Sequence, residues 1–251
     1  MSDGLPYCET CKGLRVVRIH APTPGDRDFG RLVPCPDCGE EAQRQRRREL
    51  HRCHDARIQR YTMLKGRALR QTFDNFDLRN DEGFDTGPVR VALKASRAFA
   101  TKPKGFLVLH GSRGTGKSHL AAAIANALKV SDEEPLLLVL FFIVPDLLDL
   151  LRSGYDEGDY GELIMLCKEV DVLILDDVGT EASKPWVEEK LFQIVNYRYN
   201  QMLPTVIATN CPLDELEPRL YSRLKEDRFG VVVDVTAPDY RLRRSQPGAI
   251  I

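Results

Sequence analysis

The sequence reads "GSRGTGKSH" from Gly111 to His119. The spacing is G-x-x-x-x-G-K-S, and glycines at 111, 114 and 116 let the backbone turn so that several N–H groups converge on one anion. The apolar run "FLVLH" precedes the loop, and "LAAAIANAL" follows it. A strand, a glycine-rich loop and a helix in this order predict a phosphate-binding loop for a nucleoside triphosphate.

This loop predicts specific contacts to nucleotide and metal. The helix that begins near Lys117 points its positive end at the phosphates. Lys117 should reach the β- and γ-phosphates, and the Ser118 hydroxyl should ligate Mg²⁺. We expect the whole run to contact ATP: Gly111, Ser112, Arg113, Gly114, Thr115, Gly116, Lys117, Ser118 and His119.

Apolar runs alternate with amphipathic stretches from Thr72 to the end of the chain. Five of the runs predict strands: "GFLVLH", "PLLLVLFFIV", "VDVLILDD", "PTVIATN" and "FGVVVDV". Three stretches predict helices: "KSHLAAAIANALK", "PDLLDLLRSG", opened by Pro145 and closed by Gly154, and "KPWVEEKLFQIVNYRYNQM". Strands this uniformly apolar are buried on both faces, which predicts an α/β fold with a parallel sheet flanked by helices.

The composition is that of a soluble globular protein, with 251 residues, 43% hydrophobic and 29% charged, and a net charge of −1. The start "MSDGLPYCET" shows no apolar signal region, and the longest apolar run, Leu136 to Val144, is too short to span a bilayer. Seven cysteines without a signal peptide predict a reducing, cytoplasmic location, where paired cysteines are metal ligands before they are disulfides.

Composition predicts three regions, which are a zinc-ribbon-like module at 1–40, a basic helical linker at 41–71 and an ATPase domain at 72–251. The linker carries ten basic against three acidic residues between Glu41 and Arg70, a net charge of +7. A phosphate backbone, an acidic face of a protein partner and a merely solvated helix are the three interpretations of this charge.

Two C-x-x-C pairs lie in the first region, and 23 residues separate them. Four thiolates favour tetrahedral Zn²⁺ in a closed structural site, and "LRVVRI" and "GRLVP" predict a hairpin that brings the pairs together. The expected zinc ligands are Cys8, Cys11, Cys35 and Cys38. Cys53 with His51 and His54 is interpreted as incidental, and Cys167 and Cys211 as core or loop thiols.

Polar residues follow two of the predicted strands. In "VLILDDVG", a carboxylate at the end of a buried strand needs a cation nearby, so Asp176 suits the water shell of Mg²⁺. Asp177, one residue on, suits a catalytic base that polarises the attacking water. Asn210, at the end of "PTVIATN", can orient the attacking water. The structural alternatives are a turn cap for Asp177 and a turn former for Asn210. Arg219, Arg223 and Arg228 are candidates to reach a neighbouring subunit's γ-phosphate, or are solvated surface residues.

Several motifs in order resemble the DnaC/IstB-like branch of the AAA+ ATPases, from about Thr72 to Arg244. The motifs are "TFDNFD", "GSRGTGKSHLAAAIAN", "VPDLLDLLR", "LILDDVGTE", "EEKLFQIVNYRYN", "PTVIATN", "RLYSRL" and "APDYR". The branch includes bacterial and phage replicative-helicase loaders and the ATPase helpers of IS21-type transposases. The resemblance therefore implies an AAA+ P-loop fold, with a short or absent lid because the chain stops soon after Arg244.

The resemblance also implies a role for each matching position. Lys117 and Ser118 fall on Walker A, Asp176 and Asp177 on Walker B, Asn210 on sensor 1, Arg223 on the arginine finger and Arg241 on sensor 2, which touches nucleotide in cis. Arg219 falls on the basic position beside the finger. Helicase loaders often carry Asp-Glu in Walker B, whereas this chain has Asp-Asp, as transposase helpers commonly do.

In helicase loaders a helical insertion contacts single-stranded DNA, which implies such a role for "FFIVPDLLDLLRSGYDEGDYGELIMLC" with Arg152, Tyr155 and Tyr160. An ordinary core helix and loop is the alternative for this stretch.

The implied activity is a weak Mg²⁺-dependent ATPase, stimulated by DNA or by homo-oligomer formation, that delivers a replicative helicase. The alternatives are a transposase helper that selects target DNA, and a zinc-dependent adaptor that uses ATP as a switch without hydrolysis.

Overall fold

The computed structural model describes residues 8–12, 14, 16–18, 32–38, 58–80, 83–130, 137–157, 160–179, 185–226 and 229–242. Two compact units divide the chain, Met1–Arg57 and Ile58–Ile251. In the first unit, β1 (Val16–Arg18) and β2 (Leu32–Pro34) pair antiparallel with Val17 opposite Val33. The hairpin predicted between the two cysteine pairs is confirmed.

The larger unit contains a five-stranded parallel sheet. Its strands are β3 (Phe106–His110), β4 (Val139–Ile143), β5 (Val172–Val178), β6 (Thr205–Thr209) and β7 (Gly230–Asp234). The order across the sheet is β4-β5-β6-β3-β7, and every neighbouring pair runs parallel. Four of the five strands fall within the predicted apolar runs, β5 extends one residue beyond its run to Val178, and the predicted α/β fold is confirmed.

Residues 58–61 are helical, and six further α-helices with both ends described accompany the sheet. They are α1 (Gly87–Thr101), α2 (Lys117–Val130), α3 (Val144–Glu157), α4 (Tyr160–Glu169), α5 (Pro185–Asn200) and α6 (Pro218–Leu224). Within those residues no helix combines the length and the apolar character that a bilayer span requires.

Alternate residues of β3 enter two different cores, because successive side chains of a strand point to opposite faces. Phe106 and Val108 pack in the core that contains residues of α3, α4, α5 and α6. Leu107 and Leu109 pack in the core that contains residues of α1 and α2. The sheet is therefore the middle of three layers, which explains why its inner strands carry apolar residues on both faces.

The helices differ from the prediction at Gly154 and in number, since α1, α4 and α6 are not among the three helices predicted from periodicity. Gly154 was expected to end the helix after β4, but α3 continues to Glu157. Gly154 is buried inside that helix. It therefore packs within the helix and does not end it. Helix α1 was not predicted, although its buried residues Val89, Ala92 and Phe99 recur at helical spacing.

The larger unit begins at Ile58, so it includes residues 58–71, which were predicted to belong to the basic linker. Ile58 and Leu64 are buried in its two cores. The Met63 N–H donates to the Phe141 carbonyl at 2.8 Å, along the edge of β4. The Asn126 amide donates to the Gln71 carbonyl at 2.7 Å. Charge defined the predicted linker, and charge does not reveal the few apolar residues between the basic ones that become buried.

Arg198 on α5 is fully buried at the amino-terminal end of the sheet. Its guanidinium donates to the carbonyls of Val170 and Pro204, each at 2.7 Å, and to the Thr205 hydroxyl at 2.8 Å. Burial lowers the pKa of Arg198 to about 10, so the group stays charged at neutral pH. One side chain therefore satisfies the polar backbone atoms where β5 and β6 begin.

We expect Arg198→Met to lower the free energy of unfolding by about 3 kcal/mol, because several buried carbonyls lose their donor at once. Urea unfolding followed by circular dichroism measures the change. Lys94→Met, on the exposed face of α1, is the control and should change stability by less than about 0.5 kcal/mol. A midpoint for Arg198→Met equal to that of the control would contradict this role.

Candidate nucleotide-binding site

A cleft of about 830 Å³ lies at the carboxyl ends of β3, β5 and β6, where ligands bind in open α/β sheets. Eleven of the residues predicted from the sequence line it: Arg113, Gly114, Thr115, Gly116, Lys117, Ser118, His119, Asp176, Asp177, Asn210 and Arg241. Residues far apart in the chain therefore meet in one site.

The phosphate loop runs from the end of β3 into α2. Gly114 and Gly116 have φ values of +74° and +102°, which side-chain-bearing residues rarely adopt. Lys117 is buried, and its ammonium donates to the Ser112 carbonyl at 2.6 Å. Burial lowers the pKa of Lys117, and the negative charges of Asp176 and Asp177 oppose that shift. The buried cation thus lies between the loop and two carboxylates.

The first carboxylate of the pair, Asp176, is also buried. Burial raises the pKa of Asp176 to about 6, and the hydrogen bond that the Ser118 hydroxyl donates to its Oδ1 at 3.0 Å opposes the shift. Hydroxyl and carboxylate oxygens are ligands that Mg²⁺ prefers, and a cation would relieve the burial of this charge. The pair Ser118 and Asp176 therefore fits a magnesium site.

A bulge in β5 brings the second carboxylate to the same side. Leu175 lies opposite Ile207 and Val178 opposite Thr209, so two aspartates on β5 face one residue on β6. Asp177 has a φ of +63°, in the left-handed region, which costs about 1 kcal/mol for a non-glycine residue. In a regular strand neighbouring side chains point to opposite faces. The bulge instead lets both carboxylates face the cleft.

Asn210 completes this edge of the site. Its amide donates to Asp177 Oδ1 at 3.1 Å. The preceding Thr209 donates its hydroxyl to the Val178 carbonyl at 2.6 Å and accepts from the Cys211 N–H at 3.0 Å. These bonds tie the end of β6 to the bulge, so the amide and the carboxylate hold a fixed relation at the mouth of the cleft.

The segment from Thr72 to Phe76 forms one wall of the cleft that residue-by-residue prediction missed. His119 Nε2 lies 2.9 Å from the Thr72 carbonyl and 3.0 Å from Asn75 Oδ1. Both neighbours accept, so Nε2 is the donor. The Phe76 ring meets the His119 ring edge-on, with centroids 5.1 Å apart. Burial lowers the pKa of His119, which keeps the imidazole neutral. The motif "TFDNFD" was the available signal, but its contacts depend on tertiary packing.

Arg241, on the short 3₁₀ turn Tyr240–Leu242, also lines the cleft. Its positive charge contributes to the lowered pKa of Lys117, so the two cations lie near each other. The Tyr240 N–H donates to the Gly114 carbonyl at 3.0 Å. The turn is therefore anchored directly on the phosphate loop.

Arg223, on α6, lies outside this cleft. Its Nε donates to Asn196 Oδ1 at 2.7 Å, and its Nη1 donates to the Arg219 carbonyl at 2.9 Å. The guanidinium also stacks over Phe192 and Tyr199, at 4.7 and 5.6 Å from the ring centroids. Arg223 is thus held in a defined orientation away from the phosphate loop of its own chain. Arg228 lies outside the described residues.

The sequence model of the family described as "IstB-like ATP binding protein" matches residues 40–223. The chain belongs to this family of ATP-binding proteins. The predicted resemblance to the DnaC/IstB-like branch of the AAA+ ATPases is confirmed.

Replication proteins are among the relatives of this IstB-like chain. The chromosomal replication initiator protein DnaA of Flavobacterium psychrophilum is 30% identical over 181 residues, covering 69% of this chain and 35% of the relative. The replicative helicase loader DnaI of Bacillus subtilis is 33% identical over 117 residues, covering 46% and 36%. The crystal structure of the DnaC helicase loader has a TM-score of 0.57 at 26% identity, covering 68% of this chain and 100% of that chain. The IstB-like chain spans about a third of the length of the two curated relatives.

Four cysteines converge in the N-terminal unit, outside the range that the family matches. Cys8 and Cys35 lie 3.8 Å apart and Cys11 and Cys38 lie 3.5 Å apart, measured between Sγ atoms. All four Sγ atoms fall within 4.8 Å of one another. Backbone N–H groups, chiefly that of Cys11, lower the pKa of Cys8 to about 7. This is a donor set for a single soft metal ion. The set Cys53, His51 and His54 lies outside the described residues.

The stretches expected to meet DNA are described only in part. Arg152 on α3 pairs with Asp149 at 2.9 Å and stacks over Trp186, 5.2 Å from the ring centroid. Tyr160 has the Lys190 ammonium over its ring at 5.6 Å. The side chain of Tyr155 and most of the basic segment lie outside the described residues. Three members of that segment, Lys65, Arg67 and Arg70, line the nucleotide cleft.

Proposed function

We propose that this IstB-like protein hydrolyses ATP weakly and uses ATP-dependent self-assembly to deliver a replicative helicase to single-stranded DNA. One observation carries the proposal. Lys117, Asp176, Asp177 and Asn210 meet in one cleft, while Arg223 is oriented outside it. A site divided in this way is complete only when a second subunit supplies the arginine. Relatives named as helicase loaders support the choice of a replicative helicase as the partner.

Each residue of the cleft has a proposed part in hydrolysis. Lys117 binds the β- and γ-phosphates, and the loop N–H groups neutralise the remaining phosphate charge. Ser118 and Asp176 would hold Mg²⁺, and the bound ion would neutralise charge that develops on the phosphate oxygens. Asp177 accepts a proton from the attacking water, and Asn210, bonded to Asp177, orients that water. Arg241 contacts the nucleotide in cis.

Arg223 acts in trans in this proposal. Asn196, Phe192 and Tyr199 hold its guanidinium, so little rotamer entropy remains to be lost when it meets the γ-phosphate of the neighbouring subunit. The charge-assisted contact spans the interface and disappears with the γ-phosphate. ATP therefore favours the assembly, and ADP favours separate subunits that release the partner.

A transposase helper remains the second candidate function. The matched family is the IstB-like family, and Asp177 stands where helicase loaders often have Glu. An adaptor that never hydrolyses ATP would need neither Asp177 in the cleft nor an oriented Arg223. We assign the four-cysteine unit to Zn²⁺ and to a protein contact, and the basic segment to either DNA or that partner.

The partner separates the two candidate functions. Asp177→Asn should retain ATP without turnover, because the amide cannot accept the proton, and should therefore hold its partner. We expect affinity purification of tagged Asp177→Asn with ATP, followed by mass spectrometry, to recover a replicative helicase. Lys117→Ala is the matched control and should recover none. Recovery of a transposase instead would favour the second function.

Subunit mixing tests the division of the site. Arg223→Ala keeps the cleft intact, and Lys117→Ala keeps the arginine intact. We expect each variant alone to lose the rise in ATPase rate with protein concentration and single-stranded DNA, by about 10³-fold relative to wild type. An equimolar mixture should recover a measurable fraction of that rate. Phosphate release measures all three.

Lys225→Ala, an exposed change one residue beyond α6, is the control for the mixing experiment and should behave like wild type. Nucleotide affinity of Arg223→Ala should stay near the wild-type value, since Arg223 lies outside the cleft of its own subunit. An inactive mixture beside a concentration-dependent wild type would contradict supply in trans.

The purified protein should carry one zinc ion per chain. Cys35→Ser should release it and unfold the N-terminal unit, because such a small unit derives its folding energy from the metal. The larger unit should stay folded and melt as before. Mass spectrometric metal analysis and calorimetry measure both effects. Cys211→Ser, in the larger unit, should keep the zinc; an iron–sulfur absorption band would refute the assignment.

A further inference from the structure

Residues 238–241, named here the strap, form one border of the nucleotide cleft and pack against the phosphate loop. The Tyr240 N–H donates to the Gly114 carbonyl. A Cβ at Gly114 would overlap the Asp239 carboxylate. Asp239 Oδ1 in turn accepts the Arg241 N–H at 2.8 Å. The strap thus touches the loop that binds phosphate and carries Arg241 beside it.

The strap has little core of its own. Its 3₁₀ turn contains no buried residue, and Tyr240 and the following Leu242 are 44% and 79% exposed. A three-residue turn without a buried face gains little stability from its own hydrogen bonds. The position of Arg241 therefore depends on contacts that other parts of the chain make to the strap.

Arg79, which also lines the cleft, makes such contacts. It is only 5% exposed. Its guanidinium donates through Nη1 to the Pro238 carbonyl. The same guanidinium lies over the rings of Phe84 and Tyr240, at 5.0 and 5.7 Å from their centroids. One planar group thus bonds the first residue of the strap and stacks on the third.

The backbone of Arg79 is fixed as well. Its φ is +57°, in the left-handed region, and its N–H donates to Asp77 Oδ1 at 2.8 Å. Arginine suits this place because its flat guanidinium stacks on rings and donates in its plane at the same time, which a lysine ammonium cannot do. The side chain of Arg79 therefore holds the strap through a hydrogen bond and ring contacts, in addition to carrying a positive charge.

We propose that Arg79 is a positioning residue for Arg241: by clamping the strap from the N-terminal border of the cleft, it places the Arg241 guanidinium for the terminal phosphates of ATP. The proposal rests on the proposed nucleotide function. It assigns Arg79 no contact with the reacting atoms, and it predicts that Arg79 acts through Arg241.

Nucleotide titration calorimetry on the full chain tests this coupling. Arg79→Ala and Arg241→Ala should each weaken binding of Mg²⁺–ATP on the order of tenfold, the value of one charge-assisted hydrogen bond. Binding of ADP should weaken by less than about threefold. The double variant should bind ATP no more weakly than either single variant, because one contact cannot be lost twice.

Arg90→Ala is the matched control. Arg90 is an exposed arginine that contacts Asn80 and Thr86 near the same border, and its removal should leave both affinities unchanged. Melting temperatures establish that each variant is folded. If Arg79→Ala proves unfolded, Arg79→Lys carries the test. It can still reach the Pro238 carbonyl but cannot stack on both rings, so ATP binding should weaken by a smaller factor and ADP binding should not.

Separate outcomes identify which idea fails. If the wild type binds no ATP, or Lys117→Ala binds as well as the wild type, the proposed nucleotide function is wrong. The role of Arg79 is overturned if Lys117→Ala loses binding while Arg79→Ala keeps wild-type ATP affinity. It is also overturned if the losses of Arg79→Ala and Arg241→Ala add in the double variant, or if Arg79→Ala weakens ADP as much as ATP.

Discussion

The compensation of the buried positive charge of Lys117 is the constraint on which the arrangement of the site depends. A buried cation is expensive unless polar or charged partners compensate it. Here the ammonium donates to the Ser112 carbonyl, and the negative charges of Asp176 and Asp177 act on it. These partners come from the phosphate loop and from the end of β5. Because β3 and β5 are parallel members of one sheet, their carboxyl ends lie at the same edge, and the charge balance follows from the sheet.

The charged groups of the site are divided between the cleft and a position outside it. Cations and carboxylates of one subunit balance one another in the cleft, whereas Arg223 is oriented elsewhere by an amide, a carbonyl and two aromatic rings. In the proposed assembly, an arginine oriented outside its own cleft would link the nucleotide state to the presence of a neighbouring subunit. In an IstB-like protein, this would make ATP a signal for assembly as much as a source of energy.

Two segments, one near each end of the larger unit, border the cleft. His119 holds the segment from Thr72 to Asn75 against the first turn of α2, and Arg79 bonds the strap at Pro238. Polar and cation–π contacts hold both borders, and Phe73 and Phe76 at the first border also pack against the core that contains residues of α1 and α2.

The sequence by itself determined the strands, the phosphate loop and the helix after it, because apolar runs and loop spacing are local properties. It also brought out both cysteine pairs and the polar residues at the ends of β5 and β6. Only the tertiary structure decided the rest. The bulge that turns Asp177 beside Asp176 depends on the register between β5 and β6, and the length of α3 depends on the burial of Gly154. The basic segment from Ile58 onward is part of the larger unit. Arg79 bonds Pro238, 159 residues away in the chain. Local spacing in the sequence predicts neither, because burial and contacts between distant residues depend on the whole fold.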